Sequence, residues 1–333
     1  MSRADSIGIA PQTDLRTGAT AVAYSPPVTQ ATPEMNRQTL DISETLGNRA
    51  PVAQEYGGRV FTNPMQGALR PRSGGLILAG FFGAPASTPN ATAPAAFDHV
   101  YDSLANLPVL SSIWTRTDLS HIGQGAILDK YIGCVGNTLN LTCEANNYLL
   151  FEAGYVAREW MPDPPAPSFT RDTSGRWPFN RVTVEMAVGS GAYEATPAKA
   201  FSLAYSNDVT TDDYVLGGLF VDSLPLGDIE LTGSFRPTRD IKGHTRRAMA
   251  DAPEDIRLKL VATGPEIAPG VNFSFEVELF RLETLSAPGN QINAGETLRD
   301  VEVSWRAVLD DTSGKLVTVK LTNTENGSLY RAA

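Results

Sequence analysis

Cysteine and histidine are scarce in this chain: two and three residues in 333. So few cannot build the disulfide framework of a small secreted domain or a dense metal cluster. No apolar run approaches the ~20 residues that span a bilayer, and the longest, 76–86, is cut by glycine and proline. The opening Met1-Ser-Arg-Ala-Asp leads into no apolar signal core, so a secretory leader is not expected. Cations are also in short supply, with 27 Lys and Arg against 37 Asp and Glu and a formal charge of −10. Tight nucleic-acid binding needs clustered cations on the phosphates, and this balance argues against it, though not against working beside DNA.

Apolar residues and turn formers are plentiful instead. The hydrophobic fraction is 42% and the charged fraction 19%, a composition that buries a core and excludes wholesale disorder. The 29 glycines and 23 prolines exceed the roughly 40 expected for the two together, which favours a turn-rich, mainly β chain. Strands are expected at 35–42, at 56–63 (ended by Pro64), and at 111–118, 128–141 and 148–157. In Thr138-Leu-Asn-Leu-Thr-Cys143, Leu139 and Leu141 share one face while Thr138, Asn140 and Thr142 share the other, the period of a half-buried strand. The second half repeats such alternation at 229–236, 255–262 and 271–282, and adds a hairpin of 301–309 with 316–322 across Asp310-Asp-Thr-Ser-Gly314. Two short helices are expected: an apolar one at 73–82, stopped by Gly83 and Pro85, and a basic one at 240–251.

This pattern gives a mainly β chain of two β-barrel or sandwich domains, each with a short flanking helix, and a duplication is suggested by the shared strand–helix–strand order. The expected divisions are an N-terminal arm at 1–34, a first β domain at 35–161, a proline-rich linker at 162–178 and a second β domain at 179–333. Residues 84–96, almost purely Ala, Pro, Thr, Ser and Asn, have loop chemistry, and both they and the arm are expected to bury little in an isolated subunit.

Signs of chemistry are few. Cys134 and Cys143 lie nine residues apart on one extended stretch, about 30 Å at strand rise, far beyond disulfide reach, so both are expected reduced. His99, His121 and His244 have no ligand-spaced partners, and Asp98 and His99, being adjacent on a strand, point to opposite faces. No Gly-x-Ser-x-Gly elbow occurs, and Gly57-Gly58 and Gly189-Ser-Gly191 are read as turn glycines. The acid pairs Asp212-Asp213 and Asp310-Asp311 lack the further oxygen ligands of a calcium loop and are read as solvated turn acids. Four Asn-x-Ser/Thr sequons, at Asn90, Asn140, Asn272 and Asn326, are coincidental without a secretory route. Arg239, Lys242, Arg246 and Arg247 form the one basic cluster in sequence and, lacking stacking aromatics, suit a subunit contact. No catalytic residue, cofactor or metal is expected.

The stretch from Leu128-Asp-Lys-Tyr-Ile-Gly-Cys-Val-Gly-Asn-Thr-Leu-Asn-Leu through Glu144-Ala-Asn-Asn147 and on to Arg158 resembles a recurring segment of siphophage tail tube proteins, a Tyr-x-Gly-Cys strand leading into an alternating one. Ser6-Ile-Gly-Ile, Glu44-Thr-Leu-Gly-Asn-Arg49 and Gly67-Ala-Leu ahead of the 76–83 helix match that family's upstream layout. The likeness is good over residues 1–160 and looser beyond.

The resemblance implies a non-enzymatic subunit of a long flexible phage tail, made in the host cytoplasm and resident in the virion. It further implies self-assembly, three two-unit subunits making a pseudo-sixfold ring that stacks into a tube, contact with other tail proteins, no membrane, and passage of double-stranded DNA without specific binding. A wall with excess carboxylates repels DNA, and Asp129, Glu144, Glu230, Glu276, Glu278 and Glu302, on polar strand faces, are candidates to line the lumen. Two other readings compete. A carbohydrate-binding sandwich of an adhesin or tail tip would favour clustered exposed aromatics, whereas Trp114, Trp160, Trp177 and Trp305 are scattered. A hydrolase would use an acid pair such as Glu276 and Glu278.

Overall fold

A computed structural model describes residues 5–40, 55–102, 104, 106–119, 124–189, 191–237, 256–286 and 302–331. The expected helix at 240–251, the 44–49 motif, His121, His244 and the cluster Arg239, Lys242, Arg246 and Arg247 lie outside the described residues.

The chain is mainly β. Its strands are β1 (Ser6–Pro11), β2 (Val28–Ala31), β3 (Glu34–Leu40), β4 (Glu55–Ala68), β5 (Ala86–Pro89), β6 (Phe97–Asp102), β7 (Ser111–Thr117), β8 (Ile127–Glu144) and β9 (Leu150–Pro162) in the first half. The second half supplies β10 (Val182–Val188), β11 (Glu194–Ala195), β12 (Ala198–Ser206), β13 (Glu230–Pro237), β14 (Ile256–Ala268), β15 (Val271–Ser286), β16 (Val303–Ala307) and β17 (Val317–Asn323). The single described α-helix, α1, spans Gly74–Phe82.

All the described strands join one antiparallel sheet that is not closed, consistent with a sandwich. Two long strands let it turn. One edge of β8 pairs with β9, and the other is shared end to end by β7 and β12. One edge of β15 pairs with β14, and the other is shared by β17 and β16. The expected hairpin of 301–309 with 316–322 is therefore corrected. The turn closed between Asp310 and Lys315 is real, yet β16 and β17 lie in line on β15 and do not pair with each other. Pairing alternation alone could not distinguish these outcomes, because either buries the same faces. Cross-half contacts are direct: β8 pairs with β12, β6 pairs with β17, and one apolar cluster holds residues of both halves.

Helix α1 is apolar all round, and every residue of it is buried, as such a helix requires. Phe81 packs on Tyr155 with ring centroids 5.1 Å apart, and Phe82 on Tyr205 at 4.6 Å. Burying each such ring contributes about 1.5–3 kcal/mol.

Several local expectations change. The first residues are not loosely held: β1 pairs with β7 and Ile9 is fully buried. Within 84–96, β5 pairs with β6, and the Asn90 side-chain oxygen accepts from the backbone N–H groups of Thr92 and Ala93, so a polar composition still makes an edge strand and an Asx turn. β4 runs through Pro64. That residue sits in the gap between β2 and β3, where its missing N–H is not needed, and its carbonyl accepts from Thr32. Gly57 and Gly58 lie inside β4 rather than in a turn, and Gly58 is bare because the Tyr214 ring lies where a Cβ would be. The 162–178 segment is packed down, with Trp177 and Asp172 buried.

Candidate assembly and conduit surfaces

The sheet order β4-β9-β8-β12-β13-β16 presents one outward face with a central row of short, uncharged side chains, flanked by the charged Glu144, Glu152, Glu230, Arg236, Glu302 and Arg306. Inward from the same strands point Leu139, Leu141, Phe201, Leu203, Leu231, Phe235 and Trp305, all buried, so alternation forces the intervening residues outward. One cross-strand row runs Thr142, Ser202, Ser234, Ser304, and the next runs Glu152, Asn140, Ala204, Thr232, Arg306. The Ser202 and Ser234 hydroxyls lie 2.9 Å apart, and Ser234 Oγ donates to Glu302 Oε1 at 2.6 Å. Arg306 is paired with Glu283 at 3.0 Å.

The six candidate acids separate into three groups. Glu144, Glu230 and Glu302 are exposed around the rim of this face. Glu276 and Glu278 lie on another face, that of β15: Glu276 pairs with Lys259 at 3.2 Å, and Glu278 accepts from the Tyr193 hydroxyl at 2.8 Å. Lys320 stands opposite Glu276, and both Arg257 and Lys259 lie over the Tyr193 ring, so that face is charge-balanced. Asp129, on the first part of β8, accepts from Trp160 Nε1 at 2.9 Å.

Buried polar groups on the core side are structural in their bonding. His99 is enclosed, with Nδ1 2.8 Å from Ser87 Oγ and Nε2 3.0 Å from Asn323 Oδ1, and its pKa is lowered chiefly by burial. Asn323 donates onward to the Pro71 carbonyl and the Tyr330 hydroxyl, which ties β17 to the approach of α1. Asp98 points the opposite way and accepts from Thr322 and Asn90. At the other end of α1, buried Asn207 donates to the Gly136 carbonyl at 2.8 Å and the Phe81 carbonyl at 3.4 Å.

Both cysteines are free and buried on β8; burial pushes the Cys143 thiol up to about 11 and Cys134 further still. Among the described residues no group of three or more His, Cys, Asp or Glu stands as a metal site, and no helix is long and apolar enough to cross a membrane. Asp310 is a turn acid, held below its ordinary value by hydrogen bonds from Ser313 and Thr312. Trp114, Trp177 and Trp305 are buried and only Trp160 is partly exposed, which leaves no tryptophan platform for a sugar.

Sequence reasoning missed the hydroxyl row. Its signal lay in the alternation of 198–206, where Phe201, Leu203 and Tyr205 interleave with Ser202, Ala204 and Ser206. It missed as well a spatial cluster of Arg70, Arg171, Arg176 and Arg181, whose members are up to 111 positions apart (70 to 181) and meet only in the fold.

Together these features describe a mainly β sandwich with large polar sheet faces. The family model described as phage tail tube protein matches residues 3–307, and the chain belongs to that family. No curated relative matches the chain. Membership gives it a structural role in the tail tube and places it in the virion tail, among other tail proteins.

Proposed function

We propose that copies of this chain join into rings, that the rings stack, and that the hydroxyl face lines the bore through which the genome leaves at ejection. The observation that carries this reading is the chemistry of that face. A conduit wall must not hold its cargo. Each lysine or arginine pairing with a phosphate releases counterions and binds, whereas Thr142, Ser202, Ser234 and Ser304 offer no charge. Glu144, Glu230 and Glu302 at the rim add repulsion toward a polyanion.

Sheet edges provide the means of joining. β3 pairs with β4 and with no other described strand, and its residues 34–38 are all exposed. A two-stranded ribbon is marginal by itself and gains by adding a neighbour's strand. Three subunits, each counted as two β units, would make the pseudo-sixfold ring of a long flexible tail. The role needs no catalysis and no cofactor.

Negative-stain microscopy of the purified, concentrated protein tests the proposal: hollow rings or filaments are expected, and a strict monomer at every concentration would contradict it.

A further inference from the structure

Two patches of opposite charge lie at opposite ends of α1, and the conduit reading uses neither. The first is the segment 207–228 that follows β12. Between Lys199 and Arg236 the chain has no lysine or arginine but six acids, and Asp208, Asp212, Asp213 and Asp228 are exposed. At its tip Leu216 is fully exposed, and Val215 and Leu219 are about half exposed. The tip is held on a fixed frame. Tyr214 packs on Gly58, Arg59 N donates to the Leu219 carbonyl at 2.8 Å, Arg158 Nε to the Val221 carbonyl at 2.9 Å, and Arg16 pairs with Asp222. An apolar knob ringed by carboxylates and kept in water marks an interaction site.

The second patch borders a cavity of about 630 Å³ beside the start of α1, lined by Arg70, Arg176, Arg181, Tyr148, Pro178 and Pro265. The Arg176 guanidinium lies 5.3 Å over the Tyr148 ring, and both Tyr148 and Phe179 are partly exposed. The carboxylate beside Arg70, that of Asp172, is committed to Ser73 and Ser174 and does not neutralise the outer arginines. Such a pocket of guanidinium, aromatic and proline surfaces fits an acidic, apolar-tipped partner.

The fold holds the two patches apart. Asn207 anchors the acidic segment to the last turn of α1, while Asp172 anchors the arginine segment to its first. Along β8, Asn137 accepts from Val209 of the acidic segment, and the strand runs seven residues further, about 23 Å, before the turn that meets the arginine pocket. Complementary patches on opposite ends of one molecule make a heterologous contact, which generates rings or stacks.

We infer that the 207–228 segment of one copy docks into the arginine–aromatic pocket of the next, with Leu216 against Tyr148 and Phe179 and the carboxylates of Asp212 and Asp213 facing Arg176 and Arg181. The partner is a second copy of this chain, so the inference rests on the self-assembly reading above.

Charge reversal tests it, because all four charged side chains are exposed and their exchange leaves the core intact. R176E/R181E and D212R/D213R should each raise the concentration needed for assembly by about tenfold or more, and a chain carrying all four changes should recover it. Assembly of both reversed variants at the wild-type concentration would overturn the inference. A cross-link decides the matter even for a wild type that forms no tubes, a result that would remove the conduit reading instead. Mixed L216C and N180C proteins should give a disulfide-linked heterodimer, with the two native cysteines buried, and its absence would overturn the inference. If a short DNA duplex binds the wild type and R176E/R181E abolishes that binding without altering assembly, the pocket is a polyanion site and the inference also fails.

Discussion

The carboxylate of Asp172 accepts a hydrogen bond from the backbone N–H of Ser73 at 2.8 Å, joining the proline-rich 162–178 segment to the first turn of α1. Helix starts leave N–H groups unsatisfied. Ser73 provides no side-chain cap, and its own N–H is satisfied by a residue 99 positions away. Burial alone would raise the Asp172 pKa, but hydrogen bonds from Ser174 and Ser73 outweigh it and leave it below the ordinary 3.8.

Asp172→Ala therefore strands a buried donor at Ser73 and part-buried donors at Ser174 and should cost about 1–3 kcal/mol, read as a lower urea midpoint. Because the folded pKa is depressed, the charged form stabilises the fold above pH 3.8 and is lost as pH falls through the lower folded value. The variant should accordingly lose part of the wild type's steepening acid sensitivity below that pH. An unchanged acid profile would separate Asp172 from the helix start.

His99 gives a second pH signature. Its folded pKa is lowered, chiefly by burial, so the unfolded chain binds the proton more readily. The stability it contributes is complete above about 6.5 and declines as pH falls through the folded value. His99→Gln should flatten the dependence of the urea midpoint on pH between about 7 and 5, even if it lowers the midpoint throughout. An identical slope in both proteins would contradict a buried neutral imidazole.

Gly75 should not tolerate a methyl group. A Cβ there would lie 2.4 Å from Tyr330 Cζ, and that ring is fixed by Asn323 and by the Arg72 carbonyl. Gly75→Ala is expected to cost about 1–3 kcal/mol through overpacking. Gly125→Ala meets nothing within 4 Å and serves as the neutral control. Equal melting temperatures for the two would refute the packing argument.

The thiols should be silent until the chain unfolds. Cys134 and Cys143 are buried, with pKa values raised by that burial. Modification with a thiol reagent at pH 8 should be negligible in native protein and should reach two thiols per chain in denaturant. Rapid native labelling would mean that β8 opens.

Much of this was legible in the sequence because one-face burial writes itself into alternation. Leu139 and Leu141 against Thr138 and Asn140 gave β8, and Phe275, Val277 and Leu279 gave β15. The apolar run at 76–82 gave α1, and the distance between the cysteines gave their reduced state. What stayed hidden depends on pairing between distant segments. Alternation tells which residues of β16 and β17 are buried but not that both lie on β15. The acids are the sharper case. Alternation puts all six on polar strand faces, but neighbouring segments give Glu276 a lysine, Glu278 a tyrosine hydroxyl, Asp129 an indole and Glu302 a serine hydroxyl. Of the six, only Glu144, Glu230 and Glu302 are exposed together around one face. The arginine pocket, assembled from positions 70 to 181, has no local signature at all.

The most direct measurement is a cryo-electron microscopy reconstruction of the tube formed by this protein at side-chain resolution. The account predicts that Thr142, Ser202, Ser234 and Ser304 face the bore, with Glu144, Glu230 and Glu302 close by. Finding that row on the outer wall, or a bore faced by unpaired arginines and lysines, would contradict it.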